Sequence, residues 1–428
     1  MRPPQGEVTM SWDSVPKEST DEETSPFLGP EVRAHFPAVE DKVYFNVALR
    51  GVIPKQVAEV AHKHVEESLL GVGDKAAYRA SVERSRERLA HLIGAEPNEV
   101  AITKNVSEGL NLFASSLPWK PGDNVVFCPE LEHPNNVFLW YNLKKLRGIE
   151  VRAVQPVDGA IPVKALAAAM DHRTRVVTVP HVSFSPGFIA DVRGVSDAAH
   201  AYGAVLLVDA AQSIGAIECD VGDLGIDALT VATQKSLLAF YGYGFLHVRR
   251  ELAESLIPAH VARYGMDLGV EAGETARSSG EHLPYAEGAR RFDLGNYNYF
   301  GARAAEASLH LISSIGVSRI ERHLRALSAR LVESMLDLGL PVAGGRPGPH
   351  LGHIVAVGKS GGGHHDTADD PATNDLYQYL TSNGVHLSIR KGVLRMSLGM
   401  YNDLSDVNRT LELIRVWADR YTRTPPGI

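Results

Sequence analysis

Two residues at strand ends carry the most informative chemistry in this sequence, Lys235 and Asp209. Lys235 closes the segment Asp227-Ala-Leu-Thr-Val-Ala-Thr-Gln-Lys235, and Asp209 ends the apolar run that starts at Val205. A lysine at a strand end can form an imine with an aldehyde cofactor, and a carboxylate at a neighbouring strand end can keep a pyridine nitrogen protonated. Each residue alone has an ordinary alternative, a surface lysine or an aspartate in a turn or helix cap. The pair predicts pyridoxal phosphate chemistry.

Composition favours a cytoplasmic α/β enzyme. The chain has 428 residues, of which 44% are hydrophobic and 22% are charged, enough for one large core and a smaller second one. No apolar run reaches the roughly 20 residues needed to span a bilayer, and no secretion signal opens the chain. The net charge of −8 and the lack of a basic stripe argue against nucleic-acid binding. We therefore expect no nucleic-acid partner and no membrane contact.

The two cysteines, Cys128 and Cys219, lie in or near apolar, strand-like segments. They lack metal-ligand spacing, so we expect buried, reduced thiols, no disulfide and no metal site. The pair His364-His365 in a glycine loop has two interpretations, a metal ligand pair or, as is usual for such loops, solvated side chains.

The order of elements predicts two domains after a flexible tail at residues 1–30, which is rich in Pro, Ser, Thr and Glu. Residues 31–300 alternate strand and helix signals, which implies a mostly parallel sheet covered by helices. Residues 301–428 form a smaller α+β domain with a long helix around 303–338, a strand near 353–357 and strand-like runs at 385–389 and 393–397. Ligands bind beyond the carboxyl ends of parallel strands, where Asp209 and Lys235 both lie.

With these residues assembled, the chain resembles the class V aminotransferase family from about residue 40 to 420. This family of fold-type-I pyridoxal phosphate enzymes includes cysteine desulfurases, selenocysteine lyase and isopenicillin N epimerase. The resemblance is carried, in the family's order, by Glu132-His133-Pro-Asn-Asn136, His181-Val-Ser183, Val208-Asp-Ala-Ala-Gln212, Lys235 with Tyr241-Gly-Tyr-Gly244, and Leu394-Arg-Met-Ser-Leu-Gly-Met-Tyr-Asn402. It implies an α/β large domain with a mostly parallel seven-stranded sheet between helices, an N-terminal segment packed on the small domain, and a homodimer with shared active sites.

The resemblance assigns roles residue by residue. The implied catalytic residues are Lys235, His133 and Asp209. His133 is expected to stack on the cofactor ring, with a capped loop histidine as the alternative. The implied ligands of pyridoxal 5'-phosphate are Lys235, Asp209, Gln212, His133, Ser107, Val106, Gln234, Thr233 and Asn296, and the implied substrate-binding residues are Arg395, Arg390 and Arg50. Ser107 opens a helix, which suits a phosphate, and the planar fork of Arg395 suits an α-carboxylate.

The departures from the family bear on the reaction. Desulfurases carry a nucleophilic cysteine on a loop ahead of the carboxylate arginine, and here only Lys391-Gly-Val-Leu394 separates Arg390 from Arg395. The remaining departures are Gln234 for a histidine, Ala232 for a phosphate-binding serine with Thr233 as a substitute, Asn296 for a threonine that reaches the partner subunit's phosphate, Phe184 for an asparagine, and Arg50 for a small residue. Arg50 either meets a polar substrate tail or lies on the surface.

Several reactions remain open to such an enzyme. Once the α-proton has been removed, the β-thiol group can be expelled, the amino group can be transferred, or the α-carbon can be reprotonated on its other face. Decarboxylation or oxidative deamination is a further possibility. A non-catalytic scaffold would have no reason to combine Lys235, Asp209, His133 and Arg395. We expect a carbon–sulfur β-lyase acting on a cysteine-derived conjugate in a biosynthetic pathway, by analogy with the family.

Overall fold

The computed structural model describes residues 25–269 and 283–423. Of the expected flexible tail, residues 1–24 lie outside the described part. The remainder is ordered, because Phe27 and Leu28 pack against the main core. The amide of Leu28 donates a hydrogen bond to Nδ1 of His323 at 3.1 Å. The ordered chain therefore begins before residue 30 and is held by the C-terminal part of the molecule.

The helices and strands are defined as follows. The α-helices are α1 Pro30–Arg33, α2 Lys55–Leu70, α3 Lys75–Leu92, α4 Val106–Ser116, α5 Asn135–Arg147, α6 Val163–Ala168, α7 Val192–Ala201, α8 Arg250–Ser255, α9 Tyr299–Ile315, α10 Val317–Asp337, α11 Pro371–Ser382 and α12 Leu404–Arg423. The strands are β1 Val43–Tyr44, β2 Val100–Thr103, β3 Asn124–Phe127, β4 Glu150–Ala153, β5 Thr174–Pro180, β6 Val205–Asp209, β7 Ala228–Ala232, β8 Gly244–Val248, β9 Ile354–Val357, β10 Val385–His386, β11 Ser388–Arg390 and β12 Val393–Ser397.

The large sheet has seven strands in the order β2-β8-β7-β6-β5-β3-β4. Neighbouring strands from β7 to β4 are parallel, and β8 is antiparallel to both of its neighbours. Most of its strands are continuous apolar runs, because a sheet with helices on both faces buries both sides of each strand. The predicted α/β class with a mostly parallel seven-stranded sheet is confirmed.

Two buried clusters lie on opposite faces of this sheet. One contains Trp140 and Phe127 and packs under α4 and α5. The other is larger and continues into the C-terminal helices through residues such as Leu324 and Ile414. The sheet is therefore fixed from both sides, which keeps the carboxyl ends of β6 and β7 at a constant separation.

The C-terminal part carries a second sheet, of order β11-β12-β9, in which both strand pairs are antiparallel. The N-terminal segment joins this region, since β1 pairs in parallel with β10 and Asn46 bridges Ser397. The run 385–389, expected as one strand, forms two short strands, because β10 pairs with β1 whereas β11 pairs with β12.

The long helix expected around 303–338 is two helices, and that prediction is wrong in this respect. The break lies at Gly316, whose φ of 89° places it outside the helical region. Glycine adopts this conformation without the steric cost that a Cβ would impose, so α9 ends and α10 starts in a new direction. Within the described residues, no helix combines the length and apolar character needed to cross a membrane.

Candidate active site

A cavity with a volume of about 1000 Å³ lies at the carboxyl ends of β6 and β7. This is where ligands bind in sheets of this topology. The predicted site residues that line it are Val106, Ser107, His133, Asp209, Gln212, Gln234, Lys235, Arg390 and Arg395. The fold therefore brings together residues from the large sheet and from the C-terminal strands.

Lys235 lies on the loop that follows β7. The hydroxyl of Thr233 fixes this loop by donating to the carbonyls of Phe240 at 2.7 Å and Tyr243 at 3.0 Å. Burial lowers the pKa of Lys235 to about 8; the charge of Arg395 acts in the same direction and that of Asp209 opposes it. A lysine in this state supplies a substantial fraction of free amine near neutral pH, as a nucleophile or base requires.

Asp209 ends β6 and is 5% exposed. Its Oδ1 accepts a hydrogen bond from the amide of Ala211 at 2.9 Å, which fixes the carboxyl group. Burial raises the pKa of Asp209, whereas the charge of Lys235 and the Ala211 amide lower it. A cation brought close to this carboxylate would stabilise its ionised form.

His133 begins the turn before α5, and its ring lies against Phe184. The two ring centroids are 5.3 Å apart with an interplanar angle of 83°. Nδ1 of His133 accepts a hydrogen bond from the amide of Asn135 at 3.3 Å. Burial lowers the pKa of His133, and the charge of Lys235 lowers it further. The imidazole is therefore favoured in its neutral form, which suits contact with an aromatic ring.

Arg395 lies in β12 and is fully buried. Its Nη1 donates to the carbonyl of Phe184 at 3.0 Å, while Nε and Nη2 have no hydrogen-bond partner among the described residues. Burial lowers the pKa of Arg395 to about 9, and the charge of Arg390 lowers it further. Buried N–H groups without partners cost free energy, so this guanidinium is suited to an anionic ligand.

The first turn of α4 forms another part of the wall through Asn105, Val106 and Ser107. The side chain of Asn105 caps the helix by accepting from the amide of Glu108 at 2.9 Å. The first amides of a helix have no carbonyl partner within it, and the helix dipole favours an anion there. This turn can therefore bind a phosphate, as was predicted for Val106 and Ser107.

Two amide side chains complete the cavity. Nε2 of Gln212 donates to the carbonyl of Ala48 at 3.1 Å, but its Oε1 has no partner among the described residues. The same is true of Oε1 of Gln234. Both oxygens are buried acceptors that a ligand with a donor group would satisfy.

Three predicted residues do not line this cavity: Thr233, Asn296 and Arg50. The hydroxyl of Thr233 donates to two backbone carbonyls, as described above, and its role as a substitute for the phosphate-binding serine stays a prediction. Asn296 is exposed and its side-chain oxygen lies 3.4 Å from the hydroxyl of Tyr264. Arg50 is exposed, although its neighbours Ala48 and Leu49 belong to the wall.

Arg390 lines the cavity, but its guanidinium is already engaged. It donates to the carboxylate of Asp366. It also donates to the backbone carbonyl of the preceding residue, Ile389, at 2.6 Å. Arg390 was expected to accompany Arg395 in binding the substrate carboxylate, but its guanidinium already pairs with the carboxylate of Asp366. The ion pair ties Arg390 to the loop that contains Asp366, and its role in binding the substrate stays a prediction.

Glu132 is a feature that the sequence reasoning missed. It is 2% exposed, and neither carboxyl oxygen has a hydrogen bond of normal geometry among the described residues. Burial raises the pKa of Glu132 well above that of an ordinary carboxyl group, and the charge of Asp209 raises it further. Its position beside His133 in sequence was the available signal, but nothing in the sequence indicated its burial.

The loop at residues 360–365 is a second missed feature, since all six of its residues line the cavity. By contrast, neither of the two cysteines does so. Cys128 and Cys219 are buried, and burial raises the pKa of their thiols to about 11 and about 12. Both are therefore poor nucleophiles at neutral pH.

Comparison with known proteins adds the following findings. The family model described as Aminotransferase class-V matches residues 54–410. An uncharacterized aminotransferase, YcbU, of Bacillus subtilis (strain 168) is 29% identical over 388 residues, which cover 90% of this chain and 97% of that protein. A probable cysteine desulfurase of Methanothermobacter thermautotrophicus is 32% identical over 300 residues, covering 68% of this chain and 72% of that protein. The apo structure of a cysteine desulfurase from Thermococcus onnurineus NA1 aligns with a TM-score of 0.77 and 26% identity, covering 92% of this chain and 98% of that one.

Proposed function

The chain belongs to the class-V aminotransferase family, and from that premise we propose that it is a carbon–sulfur β-lyase acting on a cysteine-derived conjugate in a biosynthetic pathway. It is an enzyme that depends on pyridoxal 5'-phosphate. When bound, this cofactor supplies an electron sink for bonds at the substrate's α-carbon. The choice among reactions then depends on the protein's own residues.

The residues of the cavity fit this cofactor. Lys235 would hold the aldehyde carbon, Asp209 the protonated pyridine nitrogen, and His133 one face of the ring. The amides that open α4 would bind the phosphate. The buried Oε1 atoms of Gln212 and Gln234, which have no partner among the described residues, would accept hydrogen bonds from bound groups.

The observation that carries the proposal is the pairing of Arg395 with Lys235 in one cavity. Two nitrogens of the Arg395 guanidinium, Nε and Nη2, have no hydrogen-bond partner in the described part of the chain, and they would bind a carboxylate in the bidentate manner. Lys235, with its pKa lowered to about 8, can take the proton from the α-carbon next to that carboxylate. A carboxylate-binding arginine and a base in the same cavity support an α-amino acid as the substrate.

The position of the two cysteines supports elimination over desulfuration. A desulfurase transfers sulfur to its own thiol, which must reach the substrate. Cys128 and Cys219 are buried outside the cavity, and the connection between β11 and β12 consists only of Lys391 and Gly392. In the proposed reaction Lys235 takes the α-proton, the β-carbon–sulfur bond breaks, and the electron pair leaves with sulfur as a thiolate. The released 2-aminoacrylate then takes up water to give pyruvate and ammonium.

The alternatives are amino transfer, epimerisation, decarboxylation and oxidative deamination, and amino transfer has a specific support. The relative YcbU is named an aminotransferase, and amino transfer needs the same base and the same carboxylate-binding arginine. Epimerisation would use Lys235 and a second proton donor on the opposite side of the α-carbon; decarboxylation or oxidative deamination would start from the same bound amino acid. Product analysis separates elimination, which yields pyruvate and a thiol, from amino transfer and oxidative deamination, which both yield the sulfur-containing keto acid. Decarboxylation releases carbon dioxide, and epimerisation changes only the configuration of the α-carbon.

The test is incubation of the purified enzyme with S-substituted cysteines, with pyruvate and free thiol measured over time. The lyase proposal predicts both products without an added keto acid. Turnover that requires a keto acid would identify an aminotransferase, and loss of optical activity without products would identify an epimerase. Lys235→Ala is the matched control, since it should abolish every one of these reactions.

We also propose that the active enzyme is a homodimer. Asn296 is exposed and lies outside this chain's own cavity. Its amide would reach the phosphate in the partner subunit's site if the two-fold arrangement of the family holds. Weakening of cofactor binding in Asn296→Ala, together with an unchanged fold, would support this arrangement.

A further inference from the structure

The loop at residues 360–366, hereafter the histidine loop, joins β9 to the segment before α11 and forms one side of the cavity mouth. Its backbone is tied down in several places. The amide of Gly361 donates to the carbonyl of Lys391 at 2.8 Å, and that of Gly363 donates to Oδ1 of Asp369 at 2.8 Å. A Cβ on Gly362 would clash with the Asp369 carboxylate, and its φ is 73°. The sequence Gly361-Gly-Gly363 therefore specifies a defined conformation.

An ion pair fixes the far end of this loop. The carboxylate of Asp366 accepts from the guanidinium of Arg390, which lies in β11 with 6% of its side chain exposed. The other oxygen of Asp366 lies 2.7 Å from Nδ1 of His365. Because Arg390 is held in a strand, the contact orients both the carboxylate and the imidazole. His365 therefore belongs to a chain of three groups, Arg390, Asp366 and His365.

The loop contributes His364 and His365 to the lining of the cavity, and both are exposed to solvent. The neighbouring Lys391 also lines the cavity, and its ammonium donates to the backbone carbonyl of Glu130. Among the described residues, neither His364 nor Lys391 forms an ion pair within 4 Å of a carboxylate. Burial lowers the pKa of Lys391, whereas the charge of the Glu130 carboxylate raises it. An ammonium has three N–H donors, so Lys391 retains donors beyond its bond to the Glu130 carbonyl.

The charges of the cavity are unevenly distributed. Its carboxylates are Asp209 at the sheet and Glu130 at the mouth, whereas its cationic side chains are Lys235, Arg395, Arg390 and Lys391. Arg390 is neutralised by Asp366, and Arg395 is left for an α-carboxylate. Lys391 and the two histidines thus remain as hydrogen-bonding groups beside the carboxylate of Glu130.

We propose that the histidine loop determines substrate specificity and that the substrate's side chain ends in a carboxylate, which Lys391, His364 and His365 bind. Charge-assisted hydrogen bonds from an ammonium and imidazoles are the expected partners of such a group. The proposal rests on the proposed function only in that the substrate is an α-amino acid held by Arg395. It applies equally to elimination, amino transfer and epimerisation.

The test measures binding rather than turnover. The cofactor-loaded Lys235→Ala enzyme is titrated with S-carboxymethylcysteine and with S-carbamoylmethylcysteine, two ligands of nearly equal shape that differ in charge. The expected result is about tenfold tighter binding of the carboxylate ligand, the effect of one net charge-assisted hydrogen bond. Equal affinity for the two ligands would overturn the proposal. It would leave the lyase proposal intact, because no reaction takes place in this assay.

Further variants of the Lys235→Ala enzyme show which residues cause the preference for the carboxylate ligand. Lys391→Gln and the double variant His364→Gln with His365→Gln should each reduce the ratio of the two affinities severalfold toward one. His172→Gln, which changes an exposed histidine outside the cavity, should leave the ratio unchanged. A preference that survives in both the Lys391 and the histidine variants would contradict the assignment of these residues.

Asp366→Asn tests whether the ion pair positions His365. A positioning role predicts weaker binding of the carboxylate ligand with unchanged binding of the carboxamide ligand, because only the orientation of the donors is lost. Asp366→Glu, which keeps the charge, should restore part of the preference. Equal weakening of both ligands by Asp366→Asn would show that Asp366 merely supports the fold and would exclude the positioning role.

Discussion

The guanidinium of Arg395 lies over the ring of Phe184, with its central carbon 5.0 Å from the ring centroid, and also donates to the carbonyl of the same residue at 3.0 Å. Phe184 thus holds Arg395 through both its side chain and its backbone. The ring of Phe184 also contacts the imidazole of His133 in an edge-to-face arrangement. One residue therefore connects the side chain expected on the cofactor ring with the one expected on the substrate carboxylate.

Phe184→Leu tests this relationship. The backbone carbonyl remains in the variant, so only the contact between ring and cation is removed. Such contacts contribute roughly 0.5–2 kcal/mol, which corresponds to an increase in KM of roughly 2- to 30-fold. Steady-state kinetics should show the change mainly in KM, and Phe184→Tyr should behave like the wild type. An unchanged KM in Phe184→Leu would mean that the ring does not help to position Arg395.

The lowered pKa of Lys235 predicts how cofactor binding depends on pH. Only the free amine attacks an aldehyde, and the pKa of Lys235 is lowered to about 8. The rate at which apoprotein takes up pyridoxal 5'-phosphate should therefore rise with pH and level off above about 8. Arg395 contributes to the lowered pKa, so Arg395→Gln should move the curve to higher pH. A rate that continues to rise toward the pKa of a free lysine would contradict the effect of burial.

Asp209→Asn separates charge from structure at the pyridine nitrogen. The asparagine oxygen can still accept from the amide of Ala211, so the fold should be retained. The negative charge that would keep the cofactor nitrogen protonated is lost, and turnover should fall on the order of 100-fold or more. Circular dichroism and kcat measured on one preparation decide the outcome. Normal turnover in a folded Asp209→Asn enzyme would refute the role assigned to this carboxylate.

Glu132 gives a prediction about stability and pH. Its pKa is raised in the folded state, so its contribution to stability is full below the usual carboxyl pKa and is lost as the pH rises through the raised value. Glu132→Gln mimics the protonated side chain and removes this dependence. The variant should gain in Tm relative to the wild type as the pH is raised, and the gain should disappear in acid. A Tm that falls further behind the wild type at higher pH would show that ionised Glu132 is stabilising.

The sequence itself predicted the parts of the site that lie at strand ends, namely Asp209 and Lys235. These positions follow from hydrophobic runs and from where they stop. The family resemblance supplied His133, Arg395 and the first turn of α4, the last supported by its place at the start of a helix. The assignments of individual residues to the cofactor and substrate remain predictions, although the fold brings most of them to one cavity.

Other features depended on contacts between distant segments. The ion pair of Asp366 with Arg390 joins a loop to a strand 24 residues away, and no local pattern indicates such a pair. The contact of Phe184 with Arg395 spans 211 residues, so the sequence revealed only that Phe184 differs from the family. The break at Gly316 was missed because apolar residues continue at helical spacing on both sides of it, and only the positive φ of the glycine reveals the change of direction.

The central claim is that the enzyme eliminates a thiol without using a thiol of its own. The most direct measurement is the stoichiometry of pyruvate and free thiol formed by the double variant Cys128→Ser with Cys219→Ser, combined with mass spectrometry of the wild-type protein after turnover with free cysteine. A lyase without a thiol of its own should form one pyruvate for each thiol released from an S-substituted cysteine, at a rate close to that of the wild type, and no persulfide on either cysteine. Loss of turnover in a folded double variant, or a stoichiometric persulfide on Cys128 or Cys219, would contradict it and identify the enzyme as a desulfurase.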